Sequence, residues 1–146
     1  PARPVLSCET YDEANALSRS LGVGLTRQTF HLFDKMNEVD GLLRDRPDLR
    51  PVLHEAHPEL AFARLNGERP VLSRKRTPEG HAERRRLLEA HGFPCPVERL
   101  PGAARDDILD AIAVCRTALL IAGGRARRLG SADARDAAGL PMNIWY

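Results

Sequence analysis

Two acidic segments carry the residue types from which a hydrolytic metal site is built. In Val52-Leu53-His54-Glu55-Ala56-His57-Pro58-Glu59, a β-branched and apolar start leads into Glu55; in Asp106-Asp107-Ile108-Leu109-Asp110-Ala111, acids open an apolar helix. Carboxylates at a strand end and on the first turns of a helix are what a magnesium-dependent phosphodiester hydrolase needs, because Mg²⁺ is a hard cation that takes oxygen ligands. On a helix that advances about 100° per residue, Asp106, Asp110 and Asp107 fall at about 0°, 40° and 100° and share one face. The helix macrodipole accounts for Asp106 and Asp107 at the first turn and less well for Asp110, one turn in among apolar residues. Glu55 is therefore expected to bridge metal with Asp107 and Asp110, helped by His57, Glu59 and Asp106. His57 and Glu59 also read simply as a helix start.

His54-Glu55-Ala56-His57 is not the zinc-protease motif, whose histidines stand four apart on a helix. No G-x-S-x-G and no phosphate-cradling G-x-x-x-x-G-K occurs, so a serine nucleophile and a P-loop are excluded as motifs. Arg74, Lys75, Arg76, Arg84 and Arg85, with Arg86, Arg64 and Arg69 nearby, concentrate positive charge that could track a phosphate backbone. A solvated helix face explains the same run, and no aromatic residue is interleaved with it, so base stacking is not indicated.

These groups must be positioned by a mixed set of elements. Thr10-Tyr11-Asp12-Glu13 is a capping box that starts a helix running to about Leu21. A second helix is predicted from after Thr26 to Pro47, and a strand over Val52–Ala56. Pro58 suits the first turn of a helix to about Leu65, Thr77-Pro78-Glu79 opens another to His91, and the last long helix runs from near Arg105 to Gly123-Gly124. That last helix is apolar on almost every side and is expected to be buried. Leu140–Tyr146 reads as an extended tail. The predicted strand is too short to stand alone, and it and the tail have few partners within the chain, so either a homodimer through unpaired sheet edges or partial disorder around these two segments is expected.

The chain has 146 residues and a formal net charge of +2, which suits one domain over 1–146 and permits a polyanionic partner without demanding one. Cys8, Cys95 and Cys115 form no C-x-x-C pair and read as reduced thiols of a cytoplasmic protein. Pro1-Ala2-Arg3-Pro4 is followed by no useful apolar run, so no signal peptide is read there. Asp110 and Arg116 inside the longest apolar stretch argue against a membrane span.

Several segments together resemble a known family. Tyr11-Asp12-Glu13-Ala14-Asn15-Ala16-Leu17-Ser18, His57-Pro58-Glu59-Leu60-Ala61-Phe62 with Leu65-Asn66-Gly67, Leu100-Pro101-Gly102 before Asp106–Ala111, and Gly139-Leu140-Pro141-Met142 are similar, in this order, to the predicted RNase H-like nucleases of domain-of-unknown-function family 429. The resemblance implies an α/β fold, a mixed sheet flanked by helices, with Glu55 as the later-strand acid and Asp107 and Asp110 as the helix acids. It implies Mg²⁺ or Mn²⁺ as cofactor and nucleic acid as substrate. The glycine-rich opening strand with its first Asp has no counterpart here, so the chain reads as a helix-rich fragment lacking its N-terminal strands and inactive alone. The alternative is a non-catalytic module that binds nucleic acid or a protein.

Overall fold

The computed structural model describes residues 2–96 and 100–146; Pro1, at the head of the amino-terminal segment read above, lies outside the described residues. The chain divides into two compact units, one made of Pro1–Leu53 and Arg135–Pro141 and the other of His54–Ala134 and Met142–Tyr146. Among the described residues there are six α-helices and one two-stranded sheet, with no helix long and apolar enough to cross a membrane.

In the first unit a 3₁₀ helix, Arg3–Ser7, precedes α1 (Tyr11–Ser20). The capping box is formed as expected: the Glu13 amide donates to Thr10 Oγ1 and the Thr10 amide to the Glu13 carboxylate. The predicted second helix is two: α2 (Arg27–Phe30) and α3 (Phe33–Asp45). The Leu32 amide donates to Thr29 O, three residues back, and the helix breaks at this tightened turn. Phe30 and Phe33 then stack edge-on at 5.1 Å, and Phe30 meets Tyr11 in the same way at 6.0 Å. With Val5, Ala14 and Leu25 they make this unit's apolar core.

Arg3 fastens the unit by donating to both Asp40 and Asp136. The hydrogen bond from Arg3 holds the Asp40 carboxyl below its ordinary range. Burial pushes Asp136 up, but the Leu140 amide, the Arg3 guanidinium and the Ala138 amide outweigh it and the net shift is downward. Both acids bind protons less readily folded than unfolded, so their contribution is complete above the ordinary Asp value and is lost as pH falls below it. The unfolding free energy obtained from denaturant curves should therefore be lower at pH 3 than at pH 6 by an amount on the order of 1 kcal/mol for this cluster, moderated by partial solvent access. Asp136→Asn should flatten that dependence, and an unchanged slope in the variant would refute the assignment.

In the second unit α4 (Pro58–Leu65), α5 (Pro78–Ala90) and α6 (Arg105–Ala122) surround a core of Ala61, Phe62, Leu65, Val71, Leu88, Cys95, Leu109 and Ala113. The expectation that α6 is buried all round is corrected. One stripe, Leu109, Ala113, Thr117 and Leu120, faces inward at the spacing of an amphipathic helix, while Leu119 is 57% exposed and Cys115 is exposed. Arg84 of α5 is buried, and its Nη2 donates to both oxygens of Glu59 on α4 at 2.8 and 3.0 Å. Its guanidinium also lies 5.5 Å from the Phe62 ring centre.

The predicted strand over Val52–Ala56 is not formed. The Val52 and Leu53 amides turn back to Leu49 O, so these residues are committed to a turn between Pro51 and the following segment. Only Ala56 makes a bridge, parallel to Trp145. The tail, by contrast, finds partners within the chain. β1 (Arg128–Leu129) pairs antiparallel with β2 (Ile144–Trp145), Arg128 opposite Trp145 and Leu129 opposite Ile144. The Trp145 amide reaches Glu55 O at 2.8 Å on the other side.

Candidate functional site

The acids of α6 meet the basic loop that precedes α5. That loop is fixed locally: Thr77 Oγ1 accepts from the Gly80 amide and donates to Arg74 O, and the Thr77 amide donates to Arg74 O as well. The first turn of α5 lies so close to the loop that a Cβ on Gly80 would overlap the Arg74 carbonyl, with its carbon at 2.6 Å. Lys75, the next residue, is thereby directed at α6.

Lys75 Nζ lies 2.7 Å from Asp110 Oδ2 and 3.7 Å from Asp106 Oδ2. The hydrogen bond that Lys75 donates to Asp110, then the charges of Asp110, Asp106 and Asp107, raise the Lys75 pKa against the opposing effect of burial, so the ammonium stays charged. All three acids of the α6 face thus act on one cationic nitrogen, although Asp107 itself is exposed. Burial pushes Asp106 up, but its own backbone amide, Lys75 and Arg76 bring the net shift down. Arg76 Nε stands 3.5 Å from Asp106 Oδ2, too long for more than a charge contact. Asp110 Oδ1 is buried and has no hydrogen-bond partner among the described residues.

A cleft of about 490 Å³ opens beside this cluster, lined by Lys75, Arg76, Thr77, Pro78, His81, Arg105 and Asp106. The first turn of α6, whose N-cap Ala104 supplies no side-chain cap, borders it, so its amides add positive potential to the cations. The cleft suits an anionic group held next to carboxylates that bind a cation.

The other residues singled out in the sequence are placed elsewhere or already engaged. Glu55 is exposed, and its main-chain oxygen serves the Trp145 amide. His57 is the N-cap of α4 without a side-chain capping bond. Glu59 is held by Arg84, which faces inward and so does not contribute to the basic surface. Arg85 pairs with Glu89 at 2.8 Å and donates to Cys95 O. Arg74 is exposed and Arg76 projects to solvent. Among the described residues no group of three or more His, Cys, Asp and Glu side chains stands together as a ready metal-binding set, so Glu55 does not join Asp107 and Asp110 in one. Sequence reasoning missed Thr77, His81 and Arg105 as cleft residues. Their signal was their place at helix starts, Thr77-Pro78 opening α5 and Arg105 opening α6.

The chain matches the family described as Protein of unknown function (DUF429) over residues 1–135. It belongs to that family. No curated protein and no solved structure matches it. The DUF429 match spans α4, α5, α6 and every residue of the cleft, whereas β2 lies beyond it.

Proposed function

We propose that this DUF429 chain is a cytoplasmic, RNase H-like phosphodiester hydrolase domain dependent on Mg²⁺ or Mn²⁺, with Asp106, Asp107 and Asp110 as its helix carboxylates. The observation that carries the reading is the convergence of the α6 acids on a single cationic position at the mouth of a basic cleft. Asp110 keeps one buried oxygen unpartnered there. The donor set is all oxygen, which fits a hard divalent ion, and the orphaned oxygen is capacity for one more ligand bond. When bound, such an ion activates water and neutralises charge on the phosphate. The chain's own part is to hold the acids on one helix face and to seat the phosphate against Arg76, Arg105 and His81. The short β1–β2 ladder with its Ala56 bridge supports the view of an α/β sheet reduced to its margin.

A Mn²⁺ titration followed by NMR tests this. Paramagnetic broadening should centre on the amides of 106–110 and fade in Asp110→Asn. Broadening elsewhere, or none at millimolar metal, would sink the proposal. Turnover by this chain alone should be small even with Mn²⁺, because two-ion chemistry needs a further carboxylate. A second reading, a non-catalytic module that binds nucleic acid or a protein, is favoured by the Lys75–Asp110 pair, which already neutralises the acid. Oligonucleotide binding that is indifferent to EDTA and to Asp110→Asn would select it.

A further inference from the structure

α6 is apolar over most of its length, yet the fold buries only the stripe of Leu109, Ala113, Thr117 and Leu120. On a helix that advances about 100° per residue, Ala111, Cys115, Ala118 and Ala122 lie opposite that stripe. All four are exposed, and Leu119 beside them is 57% exposed. The two charged residues within 108–122 do not interrupt this face. Asp110 turns to Lys75, and Arg116 has a guanidinium nitrogen buried. An uncharged face about three turns long and open to water is a contiguous apolar patch of the sort that marks an interaction surface.

The charges at the two ends of the face identify what covers it. Asp107 is exposed and lies on the same side of the helix, one turn before Ala111. At the other end Arg125 is exposed and lies back over the last turn of α6, where a Cβ on Gly123 would stand 3.3 Å from its Nε. Neither side chain is in an ion pair among the described residues. The face therefore runs from an acid, through apolar residues, to a base. A parallel mate of the same sequence would set acid on acid and base on base. An antiparallel mate sets Asp107 of each helix at the end that carries Arg125 of the other, and it also opposes the two macrodipoles favourably. Asp107 and Arg125 are equally far from position 116, so a single two-fold axis beside Cys115 satisfies both ends at once, as an isologous contact requires. The alanines allow the helix axes to approach to about 8 Å.

We propose that the outer face of α6 is a docking surface for a second copy of this chain, the two helices lying antiparallel about an axis beside Cys115. A single helix face is smaller than a standard interface, so the dimer is weak, with a Kd on the order of 50 µM. The test is sedimentation equilibrium of the whole chain, in EDTA and a reducing agent so that neither metal nor disulfides intervene. Asp107→Arg and Arg125→Asp should each weaken association about tenfold, and the two combined should restore it, because the pairs re-form with their signs exchanged. Leu119→Glu, at an exposed position, should leave a folded monomer. A short bis-maleimide should join the two Cys115 thiols in a crosslinked dimer that is lost in Cys115→Ser. A chain that stays monomeric at about 500 µM, ten times the expected Kd, overturns the proposal. So does a dimer indifferent to the single charge reversals, a double variant no better than either of them, or a crosslinked dimer that persists in Cys115→Ser. Because association is read without metal, its failure and that of the metal reading are distinguishable.

Discussion

Gly80→Ala is expected to destabilise the chain by about 2 kcal/mol and to release Lys75 from Asp110. The substitution would ordinarily help: alanine in place of glycine within a helix gains about 1 kcal/mol. Here the added methyl overlaps the Arg74 carbonyl, a backbone group that cannot swing aside like the end of a side chain. Relief requires the 74–76 loop to lift from the first turn of α5, and the Thr77 bonds to Arg74 O and from Gly80 would lengthen with it. Overlap wins over propensity. Urea unfolding gives the loss in stability, and the amide shifts of Lys75 and Asp110 report the broken pair. A variant as stable as the parent, with those shifts unmoved, would show that the close approach is not what aims Lys75.

Lys75→Ala is expected to tighten Mn²⁺ binding about tenfold, since a like charge within 4 Å of the acids competes directly with the ion. The same change should cost about 1–2 kcal/mol in metal-free buffer, because Asp110 would then have no partner on either oxygen. Calorimetric titration reads the first effect and denaturation the second. Affinity that stays constant or falls would mean that Lys75 does not stand where the metal binds, and the non-catalytic reading would gain.

Much of the helical scaffold was legible because its signals are local. The capping box at Thr10, the prolines at the first turns of α4 and α5, and the apolar run of α6 each concern residues within a few positions of one another. The strand reading failed at Val52 for the same reason in reverse. Its composition favours extension, but its amide is spent on Leu49 O, a matter of turn geometry that residue types do not display. β1 was missed because its pairing with β2 joins segments far apart in sequence, and two residues leave no periodicity to read. The acids of the candidate site were found by helical phase alone. Their cation was not, since Lys75 precedes Asp110 by thirty-five positions and its alignment depends on a glycine with no side chain to notice.

The first unit is discontinuous, and Arg3 fastens to Asp136 only after the intervening 54–134 have been made. At about 5–20 residues per second, a ribosome takes on the order of ten seconds to supply them. During that interval α1, α2 and α3 have been made but the last segment of their unit has not, and Arg3 has only Asp40 to hold. The amino-terminal helices thus pass through a waiting period in which the part of their surface that residues 135–141 complete stays open to solvent.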